Sequence, residues 1–134
     1  MASIEESVEV SASPDEAWEW IATGPGLSAW FVSATVEPGA AGSVTLTFAP
    51  GAAGTMPIVE WSPPSRFRFG AAPGQEGRAH DFTVSATAGG SRVRLLDDGV
   101  APEQAEQTAL GWRGLLSRLA AVVDASTGPA GRRP

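Results

Sequence analysis

The chain contains no cysteine, which removes disulfides, thiolate nucleophiles and cysteine metal sites together. It also lacks lysine, asparagine and tyrosine, so all nine basic residues are arginine. Without lysine there is no Schiff-base chemistry and no Walker-type phosphate loop. A single histidine, His80, excludes a multi-histidine zinc site, and no metal is expected. Positive charge is scarce: nine Arg stand against fifteen Asp and Glu, a net charge of −6 that argues against a nucleic-acid partner. No apolar run approaches the roughly 18–20 residues that span a bilayer, so no membrane insertion is expected. The N-terminal MASIEESVEV is acidic and has no apolar signal-peptide core, which makes the cytoplasm the default location.

What remains is an ordinary globular balance, 43% hydrophobic and 18% charged in 134 residues. That length predicts one domain, placed at residues 1–125, with 126–134 as a disordered tail. Residues 3–10 alternate, with Ile4, Val8 and Val10 on one face, which predicts a half-buried strand; Glu6 is the exception on that face. Ser13-Pro14-Asp15-Glu16 fits a capping box and opens a helix, which Gly24-Pro25-Gly26 should end near Ala22. Leu27–Phe31 predicts a second short helical turn. From residue 32 the pattern changes to short strands with tight turns: Ser33–Glu37, Val44–Phe48, Met56–Trp61, Arg66–Phe69, His80–Ala86 and Arg92–Leu95. A loop is expected over residues 50–54, and Gly89-Gly90 is a hairpin signal. Pro102–Ala125 then turns helical, with apolar positions 105, 108/109, 112, 116, 119/120 and 123 at a 3.6-residue period. At 1.5 Å per residue such a helix is roughly 33 Å long, enough to cross a whole sheet.

This order predicts an α+β fold: a curved seven-stranded antiparallel sheet, two short helices, and a long C-terminal helix enclosing a cavity. The chain resembles the SRPBCC, or START-like helix-grip, superfamily. Within it, the likeness is to the branch homologous to the activator of the heat-shock-protein-ninety ATPase. The resemblance is carried by SPDEAWEWI with Trp18, by Ala29-Trp30-Phe31, by Gly42, by IVEWSPPSRFRF (58–69) and by SRVRLLDDGV (91–100). Gly111-Trp112 followed by Leu115, Leu116 and Leu119 completes it. It implies a fold and a habit of holding apolar ligands; fold by itself does not assign function.

A small hydrophobic ligand held between sheet and long helix is therefore the leading expectation, with Trp30, Leu46, Phe48, Ile58, Glu60, Phe69, His80, Phe82, Trp112 and Leu116 as its candidate contacts. Trp18 and Trp30 also read as core; Trp112 reads equally as core or as cavity wall. Glu60 and His80 form the one acid/base pair on strands, weak candidates for catalysis in a polyketide cyclase- or dehydratase-like enzyme. Each also has a structural reading, Glu60 bonding nearby backbone and His80 as a satisfied inward histidine. Glu6 is a third candidate. Asp97-Asp98 before Gly99 reads as a turn, and Arg66, Arg68, Arg92 and Arg94 as a solvated outer face. Trp20 points about 200° around the helix from Trp18, so it should cover the cavity mouth or make an outer contact. The family implies a chaperone as an alternative partner, a homodimer stays open, and no cofactor is expected.

Overall fold

Strand pairing follows the chain almost element by element. The computed structural model describes residues 2–49 and 52–127. Strand β1 (Ala2–Val10) leads into helices α1 (Pro14–Ile21) and α2 (Gly24–Trp30). Six strands follow: β2 (Ser33–Glu37), β3 (Ser43–Ala49), β4 (Ala52–Ser62), β5 (Arg66–Gly70), β6 (Ala79–Thr87) and β7 (Gly90–Val100). A turn of 3-10 helix at Pro102–Gln104 opens α3 (Ala105–Thr127). The seven strands form one antiparallel sheet in the order β1-β7-β6-β5-β4-β3-β2. The meander β2–β7 is thus completed by β1, which pairs with the last strand from Ala2↔Val100 to Val10↔Ser91.

The capping box at Ser13 forms as expected. The Glu16 N–H donates to Ser13 Oγ at 3.3 Å, and the Ser13 N–H donates back to the Glu16 carboxylate at 3.1 Å. Gly24-Pro25-Gly26 does more than break a helix, because it forms the first turn of α2. Thr23 Oγ1 caps that turn by accepting from the Gly26 N–H at 3.0 Å. Gly26 is set by packing: a Cβ there would lie 2.1 Å from the Glu19 carbonyl oxygen, so α1 and α2 meet this closely only without a side chain. In the β3–β4 hairpin, Ala52, Ala53 and Gly54 belong to β4 rather than to a loop; Pro50 and Gly51 lie outside the described residues. Of the predicted tail, Ser126 and Thr127 are still helical and 128–134 lie outside the described residues.

Strand β4 breaks its own alternation. Ile58 pairs with Phe69 and Trp61 with Phe67, with a register shift between Ile58 and Glu60. Ile58 is buried, and Trp61 packs edge-on against Trp18 and Phe67 at 5.2 and 5.4 Å. Both therefore face the core although they stand three positions apart, which a β-bulge permits. Against this sheet face, α3 lays Trp112, Leu116, Leu119 and Val123, all buried and spaced four, three and four apart. Val44, Leu46, Phe67, Phe69, Phe82, Val93 and Leu95 meet them from the sheet, and Trp18, Ile21, Leu27 and Trp30 from the short helices. Each such large side chain contributes roughly 1.5–3 kcal/mol by leaving water.

The opposite sheet face corrects one expectation. Arg66, Arg92 and Arg94 are half-exposed, the last two paired with Glu9 and Glu5 across β1 and β7. Arg68 is buried instead. Its Nη1 donates to Asp81 at 3.2 Å, its Nη2 to Asp98 at 3.2 Å, and its Nε to the Ala71 carbonyl at 2.9 Å. Alternation puts Arg68 on the outer face, but there Asp81 of β6, Asp98 of β7 and the Ala71 carbonyl just after β5 together supply partners for all three nitrogens. A buried guanidinium is tolerated only with such partners.

Candidate functional site

Where α3 and the sheet separate, they leave a cavity of about 430 Å³. Phe31, at the C-terminal cap of α2, is the hub of its aromatic wall. Its ring lies 5.1 Å from Trp112, 6.3 Å from Phe48 and 6.2 Å from His80. Met56 and Leu115 complete the apolar lining. Phe48 shares the face of Val44 and Leu46, yet it is 64% exposed because β3 continues past the core at this end. On α3, Gly111 forms part of the cavity wall, and a Cβ built on it meets nothing within 4 Å.

The inner end is polar. Asp97, fully buried on β7, accepts from the Trp112 indole N–H at 2.7 Å through Oδ2. Arg78 grips the same carboxylate: Nη2 donates to Oδ1 at 2.8 Å and Oδ2 at 2.7 Å, and Nε to Oδ1 at 3.2 Å. The Arg78 side chain is nevertheless 47% exposed and lines the cavity. His80 lies next to the pair, its Nε2 3.9 Å from Asp97 Oδ1, too far for a hydrogen bond. Its ring stacks on Phe69 at 5.1 Å and meets Trp112 at 5.6 Å. Nδ1 is buried with no hydrogen-bond partner among the described residues. Burial is the main force lowering the His80 pKa from 6.5 to about 4; Asp97 pulls it up and Arg78 pushes it down. The imidazole is therefore neutral near pH 7.

Of the candidate contacts, Phe48, His80 and Trp112 line the cavity. Leu46, Ile58, Phe69, Phe82, Trp30 and Leu116 are packed into the core behind it. Trp30 is satisfied there, its indole N–H donating to the Trp20 carbonyl at 2.8 Å. Glu60 lies on the outer sheet face, opposite Arg68 and hydrogen-bonded by Ser62 Oγ. It and His80 therefore face opposite sides of the sheet and do not converge on one substrate. Glu6 faces α3, where Arg113 Nε donates to it at 3.1 Å, which accounts for a charge on the apolar face of β1. Trp20 does not cover the cavity mouth. It lines a separate groove with Glu19, Thr23 and Pro25 on the outside of the short helices.

Asp97 corrects the expected turn, since both Asp97 and Asp98 lie inside β7. The signal was available: Val93, Leu95 and Asp97 share one parity, as do Arg78, His80 and Phe82, so two opposite charges point toward the core at neighbouring positions. Phe31, Met56 and Leu115 carried no comparable signal. Among the described residues, no three His, Cys, Asp or Glu side chains cluster as metal ligands would.

A long helix closed over a seven-stranded antiparallel sheet, with two short helices beside it and an apolar cavity, defines a helix-grip protein of the SRPBCC, START-like superfamily. The chain belongs to the family described as polyketide cyclase / dehydrase and lipid transport, whose pattern matches residues 1–130. No curated protein matches it. Among solved structures it is similar to protein MLL2253 from Mesorhizobium loti, with a TM-score of 0.79 and 15% identity over 93% of this chain and 98% of that one. The Aha1 dimer from Colwellia psychrerythraea gives a TM-score of 0.75 and 17% identity over 96% and 100%. CalU16 from Micromonospora echinospora gives 0.72 and 17% over 96% and 77%. At these identities the likeness is one of fold. No helix among the described residues is long and apolar enough to cross a membrane.

Proposed function

We propose that this protein binds a small, largely apolar molecule in the cavity between α3 and the sheet. The observation that carries this reading is the cavity itself: about 430 Å³, walled by Phe31, Phe48, Met56, Trp112 and Leu115, with a few polar groups gathered at one end. Ligand sites are generally concave, mostly apolar and of about 300–1,000 Å³, with a small number of placed polar groups. The family's description includes lipid transport, which also calls for an apolar site. A second reading, chemical turnover of the bound molecule as in a cyclase or dehydratase, draws on the same polar end. Mass spectrometry of recovered ligand would reveal it by a change in mass. The activator-like branch has no comparable support, because the likeness to Aha1 is one of fold at 17% identity.

Gly111 offers the test. Gly111→Phe places a ring where open space now lies at the cavity wall, whereas Gly114→Phe adds the same ring on the exposed side of α3. Binding of an environment-sensitive naphthalene dye should fall at least about tenfold in Gly111→Phe and stay unchanged in Gly114→Phe. Equal binding by both variants, with both folded by circular dichroism, would remove the cavity as the site.

A further inference from the structure

Three polar groups at the inner end of the cavity have unused capacity, and they differ in kind. Both oxygens of Asp97 are occupied, by Arg78 and by the Trp112 indole. Its charge is offset by the same guanidinium, so it offers little to a bound molecule. Arg78 uses Nε and Nη2 on Asp97, while Nη1 makes no hydrogen bond among the described residues. With half its side chain exposed, Arg78 still presents a cationic donor to the cavity. Thr108, also in the lining, can donate or accept and so discriminates little.

His80 supplies the complement. A neutral imidazole carries one N–H, and the Asp97 carboxylate 3.9 Å away favours that proton on Nε2. Nδ1 is then an acceptor, and it is the buried side-chain atom left without a partner among the described residues. A buried acceptor with no donor is costly and uncommon in a folded protein. Because the His80 ring forms part of the cavity wall, a bound molecule can bring the missing donor. A small shift of Phe31 or Trp112, whose rings rest 6.2 and 5.6 Å from the imidazole, would admit it. Arg78 Nη2 donates to Asp97 Oδ1 at 2.8 Å and His80 Nε2 stands 3.9 Å from that same oxygen, so the two side chains flank one carboxylate and line one cavity.

We infer that the cavity selects aromatic hydroxy acids, in which Arg78 holds the acid group and His80 Nδ1 accepts a hydrogen bond from a nearby hydroxyl. The aromatic part follows from the wall, where Phe31, Phe48 and Trp112 offer ring faces and edges to a flat ligand. The donor and anion follow from the two uncommitted groups, since an arginine pairs well with a carboxylate and a neutral imidazole nitrogen with an O–H. This selectivity rests on the proposal that the cavity binds apolar molecules, and it can fail while that proposal stands.

Isothermal titration of the unaltered protein with four probes separates the two. The probes are naphthalene, naphthol, naphthoic acid, and the naphthoic acid bearing a hydroxyl meta to its carboxylate, a placement that prevents the two groups from bonding each other. The hydroxy acid should bind about tenfold or more tighter than either singly substituted probe, as one added charged or buried hydrogen bond implies. In His80→Phe, which keeps a ring in the aromatic cluster, the hydroxy acid should fall to the affinity of naphthoic acid while naphthoic acid itself is unaffected. Similar affinities for all four probes, or acids bound more weakly than naphthalene, would overturn the selectivity and leave the cavity as a binding site. Failure of every probe, naphthalene included, would overturn both.

Discussion

Mild acid should destabilise this protein through one side chain. His80 titrates near 6.5 when unfolded and at about 4 when folded, because its ring is buried against Phe69, Phe31 and Trp112. The unfolded chain therefore binds more protons between those values, and stability falls as pH falls through that window. At about 1.4 kcal/mol per pH unit, the full gap from 6.5 to about 4 is worth about 3 kcal/mol, of which about 2 kcal/mol is lost between pH 7 and pH 5. A typical domain has only about 5–15 kcal/mol in total, so the loss is easily measured. The groups facing the imidazole, Asp97 and Arg78, are paired with each other, and the chain has no second histidine to confuse the window. Glu5 and Asp98, held low chiefly by hydrogen bonds from Arg94 and Ser3, contribute stability above their ordinary values of 4.5 and 3.8 and lose it at lower pH. Urea denaturation at pH 7, 6 and 5 should show this loss in the unaltered protein and most of it abolished in His80→Phe. Equal losses in both proteins, or an NMR titration of His80 with a midpoint above 6, would refute the reasoning.

Other outcomes follow from the same geometry. Gly111→Ala and Gly114→Ala, both inside α3 with open space around a new Cβ, should each raise stability by about 0.5–1 kcal/mol in thermal melts. Only the first should weaken binding of a cavity probe. Asp97→Ala strips the buried Trp112 N–H and Arg78 of their acceptor and should cost about 2–4 kcal/mol by urea denaturation, less than a wholly buried pair because Arg78 is half-exposed. Gly26→Ala drives a methyl group into the Glu19 carbonyl and should cost about 1–3 kcal/mol, while Ala29→Gly nearby in α2 serves as a control without that clash.

Much of the architecture could be read without coordinates, since the forces behind it are local. Alternation in residues 33–37, 44–48 and 80–86 reports which side of a strand leaves water, and the four-residue Ser13–Glu16 box reports a helix start. The apolar stripe 112, 116, 119, 123 reports a helix whose buried face needs a sheet. Local rules were weaker wherever a distant part of the chain changed the environment. Alternation placed Arg68 in solvent, but Asp81, Asp98 and the Ala71 carbonyl hold it buried there. Strict alternation would put Ile58 and Trp61 on opposite faces, but pairing with Phe69 and Phe67 across a bulge turns both inward.

The candidate site shows the division most clearly. His80 and Trp112 were legible as inward residues of their own elements. That they enclose a cavity, and that Asp97 rather than Glu60 supplies the carboxylate at its inner end, depended on β6, β7 and α3 converging. Periodicity reports which face of an element avoids water. It cannot report how far apart two buried faces lie, and that separation decides whether a side chain such as Leu116 is core or one such as Phe48 is cavity wall.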